Sequence, residues 1–210
     1  MATIAPDVQT AQTHPEPAVA PSGDPSILGL PIFVVGSVAL GLSLVGYVPA
    51  AAGGVIVPVI FAATGLGLVI STIWAATLGQ TMVASIFGLF AGFWLSFSIL
   101  ELALFHNWLL IPAASVNKSV ALFLISWIVV MGALTIATMR LPLAFTAVIG
   151  LVVLALILRT IGVLDTSDAM NKAAGYVVLV FAALGVYLFL NAAELATGGR
   201  GLPLGDPLRK

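Results

Sequence analysis

The chain has 210 residues, of which 61% are hydrophobic and only 7% are charged, and its formal net charge is −1. A soluble domain carries about 25% charged residues, so this composition excludes a soluble enzyme, a disordered chain and a nucleic-acid-binding protein. The chain has no Cys, which excludes disulfides and Cys-ligated metals. The composition predicts an integral membrane protein, with membrane lipid as an expected partner.

Six apolar stretches are long enough to cross a membrane, since about 20 helical residues span about 30 Å of hydrocarbon. Continuous runs of this kind indicate helices rather than the alternating strands of a barrel. We therefore predict an all-α polytopic membrane protein, a bundle of six transmembrane helices with short loops. The predicted spans are Ile27–Tyr47, Val55–Ala75, Thr81–Phe105, Ser119–Thr138, Leu141–Gly162 and Ala173–Glu194.

Polar segments flank this transmembrane domain of residues 27–195. Residues 1–26 are polar and Pro-rich, which predicts a disordered tail, and the first span is expected to act as the insertion signal. Residues 196–210 form a short C-terminal tail. Inside the domain, Pro142 is expected to open the fifth helix, and the stretch from Asp165 to Asp168 to cap the sixth.

An even number of spans places both termini on one side of the membrane. That side carries four cationic residues and the opposite side three, which favours cytoplasmic termini. The first group is Arg140, Arg200, Arg209 and Lys210, and the second is Lys118, Arg159 and Lys172.

Two charged residues lie inside predicted spans. Glu101 is about one turn from the end of the third helix and Arg159 about one turn from the end of the fifth, so both are expected at similar depth. Charges in a membrane are costly unless they are paired or face water. Either the two residues pair or line a vestibule that attracts anions, or each reaches the interface separately.

No constellation for catalysis or metal binding is visible in the sequence. His14 lies in the tail and His106 in a loop, so three or four convergent ligands are lacking. We expect no metal, no cofactor and no enzymatic activity. The aromatic stretch from Phe87 to Trp94 indicates either a lipid- or helix-facing stripe or a hydrophobic ring in a pore. The Gly88 and Gly92 pair within it predicts a close approach of another backbone.

Three segments carry a family resemblance. The first is similar to the motif Asn-Pro-Ala-Pro-Leu-Gly-Leu, the second to Ser-Phe-Trp-Leu, and the third to a Gly-Arg-x-x-Leu-Pro-x-Gly ending. In order, they are Asp24-Pro25-Ser26-Ile27-Leu28-Gly29-Leu30, Gly92-Phe93-Trp94-Leu95 and Gly199-Arg200-Gly201-Leu202-Pro203-Leu204-Gly205. Together they resemble the acetate uptake transporter family, also called the succinate–acetate permease family.

The resemblance implies a plasma-membrane permease or channel for acetate and other small monocarboxylates, and by extension succinate, with proton-linked uptake. It also implies a homohexamer with one pore per protomer. The family's hydrophobic constriction falls at Phe33, Phe90 and Val152 when counted from the motifs. Two of these depart from the family, since Phe90 replaces a Tyr and Val152 a Leu.

Polar pore residues of the family are also replaced. Its Asn-Leu-His-Asn stretch is here Gly41-Leu42-Ser43-Leu44. The acidic positions of its last helix lie nearest to Asn191 and Ala192, with Glu194 displaced by about two residues. Ser43, Thr64 and Asn191 are therefore the predicted polar contacts for a solute. The replacements leave open a transporter of another small solute, or a membrane-embedded structural or assembly subunit that transports nothing.

Overall fold

The computed structural model describes residues 22–209, so the predicted tail of residues 1–26 lies outside the described residues as far as residue 21. Six helical segments are long and apolar enough to cross a membrane, which confirms the predicted fold class. Their α-helices are α1 (Ser26–Val45), α2 (Gly67–Thr77), α3 (Thr81–Phe105), α4 (Val116–Ala137), α5 (Leu143–Leu164) and α6 (Asp168–Ala196).

The helix ends are set by local chemistry. The Asp24 carboxylate accepts the Ser26 backbone N–H at 2.9 Å at the start of α1, and the Ser167 hydroxyl accepts the Met170 N–H at the start of α6. Gly46 ends α1 in the left-handed conformation, with φ at 90°, where a glycine has no side chain to strain. α5 begins directly after Pro142, as predicted.

The second span is irregular before it becomes α-helical. It starts with a 3₁₀ segment (Ala50–Ile56), continues as a π-helix (Val59–Leu66) and ends as α2. Two adjacent glycines and Pro58 lie in its first part, and these residues support α-helical hydrogen bonding poorly. The span begins at Ala50 instead of the predicted Val55.

Glycines allow α1 and α6 to pack closely. A Cβ atom added at Gly41 would overlap the Leu179 side chain, and one added at Gly185 would press on Val34 and approach Phe33. This contact places the face of α1 that carries Phe33 directly against α6.

The Gly88 and Gly92 pair packs differently from the prediction. The atoms nearest to a Cβ at these positions belong to the side chains of Thr72 and Trp127, at 3.2 and 3.3 Å, and to no other backbone. Both neighbours belong to the same chain, on α2 and α4.

The C-terminal segment folds back onto the beginning of α5. The Ala144 backbone N–H donates to the Leu204 carbonyl at 2.9 Å, which satisfies a first-turn donor that has no partner within α5. The Tyr187 hydroxyl donates to the Pro203 carbonyl at 2.7 Å from the side of α6. The predicted tail is thus docked on the helix bundle.

Candidate functional site

Three phenylalanines form a cluster at the centre of the bundle, contributed by α1, α3 and α6. The ring centroids of Phe33 and Phe90 are 4.9 Å apart in an edge-to-face arrangement, and those of Phe33 and Phe181 are 5.7 Å apart and stacked. Each of the three side chains is only 4% exposed. We call these three residues the aromatic constriction.

Cavities lie on both sides of the aromatic constriction, because Phe33 and Phe90 line two different ones. The inner cavity, of about 50 Å³, extends from the constriction towards Glu101 and Arg159 and is also lined by Val152. The far cavity, of about 40 Å³, is wholly apolar and extends towards Leu30 and the start of α5. A water molecule needs roughly 10–15 Å³, so each cavity has room for a few atoms.

A vestibule continues outward from the inner cavity, on the side of the bundle opposite the C-terminus. It has a volume of about 480 Å³ and shares Glu101, Arg159, Leu40, Leu44 and Phe97 with the inner cavity. Inner cavity, constriction and far cavity are therefore arranged in series behind an open, polar mouth.

Helical periodicity explains why α3 lines this route along most of its length. Phe90, Trp94, Phe97 and Glu101 recur at intervals of three and four residues, so they share one face of the helix. All four line the inner cavity. On α5, Val152, Leu156 and Arg159 repeat the same spacing and line the opposite wall.

Two of the four charged residues that line the vestibule, Glu101 and Arg159, form no ion pair with any residue that the structure describes. Within residues 22–209, Lys172 and Asp168 form the only ion pair, with Nζ and Oδ2 2.8 Å apart. Arg159 instead donates from Nη1 to the Asn171 amide oxygen at 2.6 Å. Glu101 and Arg159 therefore both line the vestibule and do not form the predicted ion pair with each other.

Gly162 makes the Arg159–Asn171 contact possible. A Cβ atom at Gly162 would collide with the Asn171 amide oxygen, so the missing side chain lets α6 approach α5 here. Asn171 thereby fixes the guanidinium at the mouth of the vestibule.

Both the sequence and the fold of this chain are similar to those of known proteins. The sequence pattern of the GPR1/FUN34/yaaH family matches residues 7–199, which is most of the chain. The chain belongs to the GPR1/FUN34/yaaH family. The resemblance found in the sequence motifs is thereby confirmed.

Two fungal relatives and one solved structure are similar to this family member. "Acetate transporter protein patA" of Aspergillus clavatus is 29% identical over 136 residues, which cover 64% of this chain and 55% of the relative. The protein of the same name from Penicillium expansum is 27% identical over 130 residues, covering 61% and 52%. The chain thus spans about half the length of these curated relatives.

The solved structure described as "Structure of the bacterial acetate channel SatP" superposes with a TM-score of 0.77 at 22% sequence identity. The match covers 88% of this chain and 100% of that structure. At this identity the match establishes a shared fold.

The predicted constriction residues come together in this family member. Phe33 and Phe90 are in contact, and Val152 lines the same inner cavity. The sequence did not single out Phe181, which stacks on Phe33, because nothing distinguishes it within the apolar run of α6. Val152 is 5% exposed and borders the inner cavity but not the far cavity.

The predicted polar contacts separate into two groups. Ser43 lines the vestibule. The Thr64 hydroxyl is fully buried and donates to the Ile32 carbonyl at 3.2 Å, and the Asn191 amide oxygen accepts the Leu202 N–H at 2.7 Å. Thr64 and Asn191 therefore bind backbone groups, and neither lines any of the three cavities.

The signature motif is explained by packing. Besides the Asp24 cap, Pro25 is buried, Leu28 is half-buried and Leu30 lines the far cavity. A side chain at Gly29 would overlap the ring of Phe87, which is the next aromatic residue below the constriction on α3.

Proposed function

We propose that this protein is a membrane channel or permease that passes acetate and related small monocarboxylates through the aromatic constriction. The observation that carries the proposal is the serial arrangement of vestibule, inner cavity, constriction and far cavity within one protomer. The two fungal relatives are named acetate transporters and the similar structure an acetate channel, which supports this choice of solute.

In the proposed route, Arg159 draws a small anion into the vestibule, where it is still hydrated. The inner cavity is lined mainly by aliphatic and aromatic side chains, so the solute must lose water as it moves inward. Burying a bare carboxylate is costly, whereas a neutral carboxylic acid crosses an apolar passage at lower cost. Proton-linked uptake is therefore part of the proposal, and succinate, with two carboxyl groups, is its more demanding substrate.

The proposal extends to the cellular setting on the strength of the family resemblance. We place the protein in the plasma membrane with cytoplasmic termini, as a homohexamer in which each protomer has its own pore. Its vestibule would then face the outside, as uptake requires.

Uptake of labelled acetate into proteoliposomes tests the function, with and without an inward proton gradient. The critical variant is Phe33→Trp, whose larger ring is expected to plug the constriction and reduce uptake to the level of empty liposomes. Phe61→Trp is the matched control, because Phe61 lies on the outer surface of the second span and is 37% exposed. It should transport like the wild type.

The outcomes separate the alternatives. Gradient-stimulated uptake that Phe33→Trp abolishes and Phe61→Trp retains supports a monocarboxylate route through Phe33. Uptake of a neutral solute but not of acetate would assign a different substrate to the same route. A folded protein that passes none of the solutes would leave the structural or assembly role.

A further inference from the structure

Trp94 carries an unpaired hydrogen-bond donor at the side of the inner cavity. Its side chain is 1% exposed and lines the inner cavity, next to the aromatic constriction. Among the buried side-chain nitrogen and oxygen atoms of residues 22–209, the Trp94 indole nitrogen is the only one without a hydrogen-bond partner. Buried donors are almost always paired, so this exception calls for a physical explanation.

The position of Trp94 along the route supplies one. Apart from Glu101 and Arg159 at the mouth, Trp94 is the only residue with a polar side-chain group among those that line the inner cavity. It lies one helical turn, about 6 Å, from Phe90 on the same face of α3. A solute that has left the vestibule therefore passes Trp94 before it reaches the constriction.

The indole N–H can donate but cannot accept a hydrogen bond. It suits a solute with an acceptor oxygen, whether a carboxylate or the carbonyl of a carboxylic acid, and it offers nothing to a cationic donor such as methylammonium. In an apolar cavity such a bond gains strength, because no water competes for it.

We propose that the Trp94 indole N–H binds the oxygen of the passing monocarboxylate and so replaces part of the water that the solute loses. This inference rests on the proposed function and deepens it, since it assigns the residue that favours carboxyl compounds at the constriction. Phe93 and Phe97 hold the indole in place by edge-to-face contacts, with ring centroids 5.2 and 6.5 Å away.

The test combines transport with a direct observation of the indole. Trp94→Phe keeps an aromatic ring but removes the donor, and we expect it to lower acetate uptake at subsaturating concentration about tenfold or more, as for loss of a hydrogen bond to a charged group. Trp127→Phe is the matched control, because Trp127 belongs to the neighbouring aromatic cluster and lines none of the three cavities. It should retain uptake.

The direct observation uses ¹⁵N-indole labelling of the wild-type protein in lipid nanodiscs. The four tryptophans give four indole signals, and the one missing from Trp94→Phe belongs to Trp94. Titration with acetate should move this signal downfield and leave that of Trp127 in place. Sodium gluconate, whose anion is too large for a cavity of about 50 Å³, should move neither.

Each combination of results decides a point. Acetate uptake without a shift of the Trp94 signal overturns this inference and leaves the proposed function standing. A shift without uptake supports the binding site and overturns transport. If neither acetate uptake nor a shift of the Trp94 signal is observed, both this inference and the proposed function are refuted. Should Trp94→Phe fail to fold, the signal is assigned by Trp74→Phe, Trp108→Phe and Trp127→Phe, and the wild-type titration alone decides.

Discussion

Replacing Arg159 by Gln is expected to slow acetate uptake while leaving a neutral solute of the same size unaffected. Arg159 is the cationic residue that lines both the vestibule and the inner cavity, and Asn171 holds its guanidinium in place. Because the guanidinium is not engaged in an ion pair with Glu101, its charge is available to attract an anion. Removal of that charge should therefore act on the charged solute alone.

The magnitude follows from the position of Arg159 on α5. It lies seven residues beyond Val152, which corresponds to about 10 Å along the helix axis. At that distance, one unit charge attracts another by about 0.4 kcal/mol at a dielectric constant of 80 and about 1.7 kcal/mol at 20. Acetate uptake should consequently fall roughly 2- to 20-fold, with the smaller effect at physiological salt because the screening length is then about 8 Å.

Acetamide is the matched solute for this assay, since it has the shape of acetate and no charge. Uptake of both is measured into proteoliposomes at low and at physiological salt. Glu101→Gln is the variant of opposite sign: acetate uptake should rise, because a negative charge that lines the vestibule and repels the anion is removed. Equal losses of acetate and acetamide uptake in Arg159→Gln would mean that the residue supports the fold and does not attract the anion.

Two further changes probe the constriction and the docked tail. Phe181→Ala removes the ring stacked on Phe33 and should reduce discrimination against butyrate relative to acetate by roughly tenfold, measured as the ratio of their uptake rates; an unchanged ratio would exclude Phe181 from the constriction. Asn191→Leu leaves the half-buried Leu202 N–H without its acceptor, at a cost of about 1 kcal/mol. Hydrogen exchange at Leu202 and Ala144 should then accelerate severalfold, and unchanged exchange would show that Asn191 does not hold the tail.

The six spans were predictable from hydropathy because the thickness of a membrane sets the length of any helix that crosses it. The third span has the predicted bounds, Thr81–Phe105. The second was less predictable at its beginning. Hydropathy does not depend on the backbone preferences of Gly53, Gly54 and Pro58, which disfavour a regular α-helix. The span accordingly begins with 3₁₀ and π-helical turns, the first of them at Ala50.

The site was predictable where a motif fixed the register and not elsewhere. Phe33 and Phe90 lie within a few residues of recognisable motifs, and the two residues counted from those motifs are in contact. Thr64 and Asn191 show that the presence of a polar residue in an apolar span does not by itself identify a solute contact. A polar side chain in an apolar helix satisfies either a solute or a backbone group, and only the packing of neighbouring segments determines which.

The arrangement of polar groups along the route suggests why a small number of them is enough to pass a carboxylate. A carboxylate in an apolar passage loses hydration that costs several kcal/mol, and dense polar binding would trap the solute instead of passing it on. In the proposed route, Arg159 acts at a distance on a hydrated anion, and Trp94 offers one hydrogen bond where hydration is lost. The constriction itself carries no polar side chain. Attraction is thereby confined to the approach, and the narrowest point offers the solute nothing to hold it there.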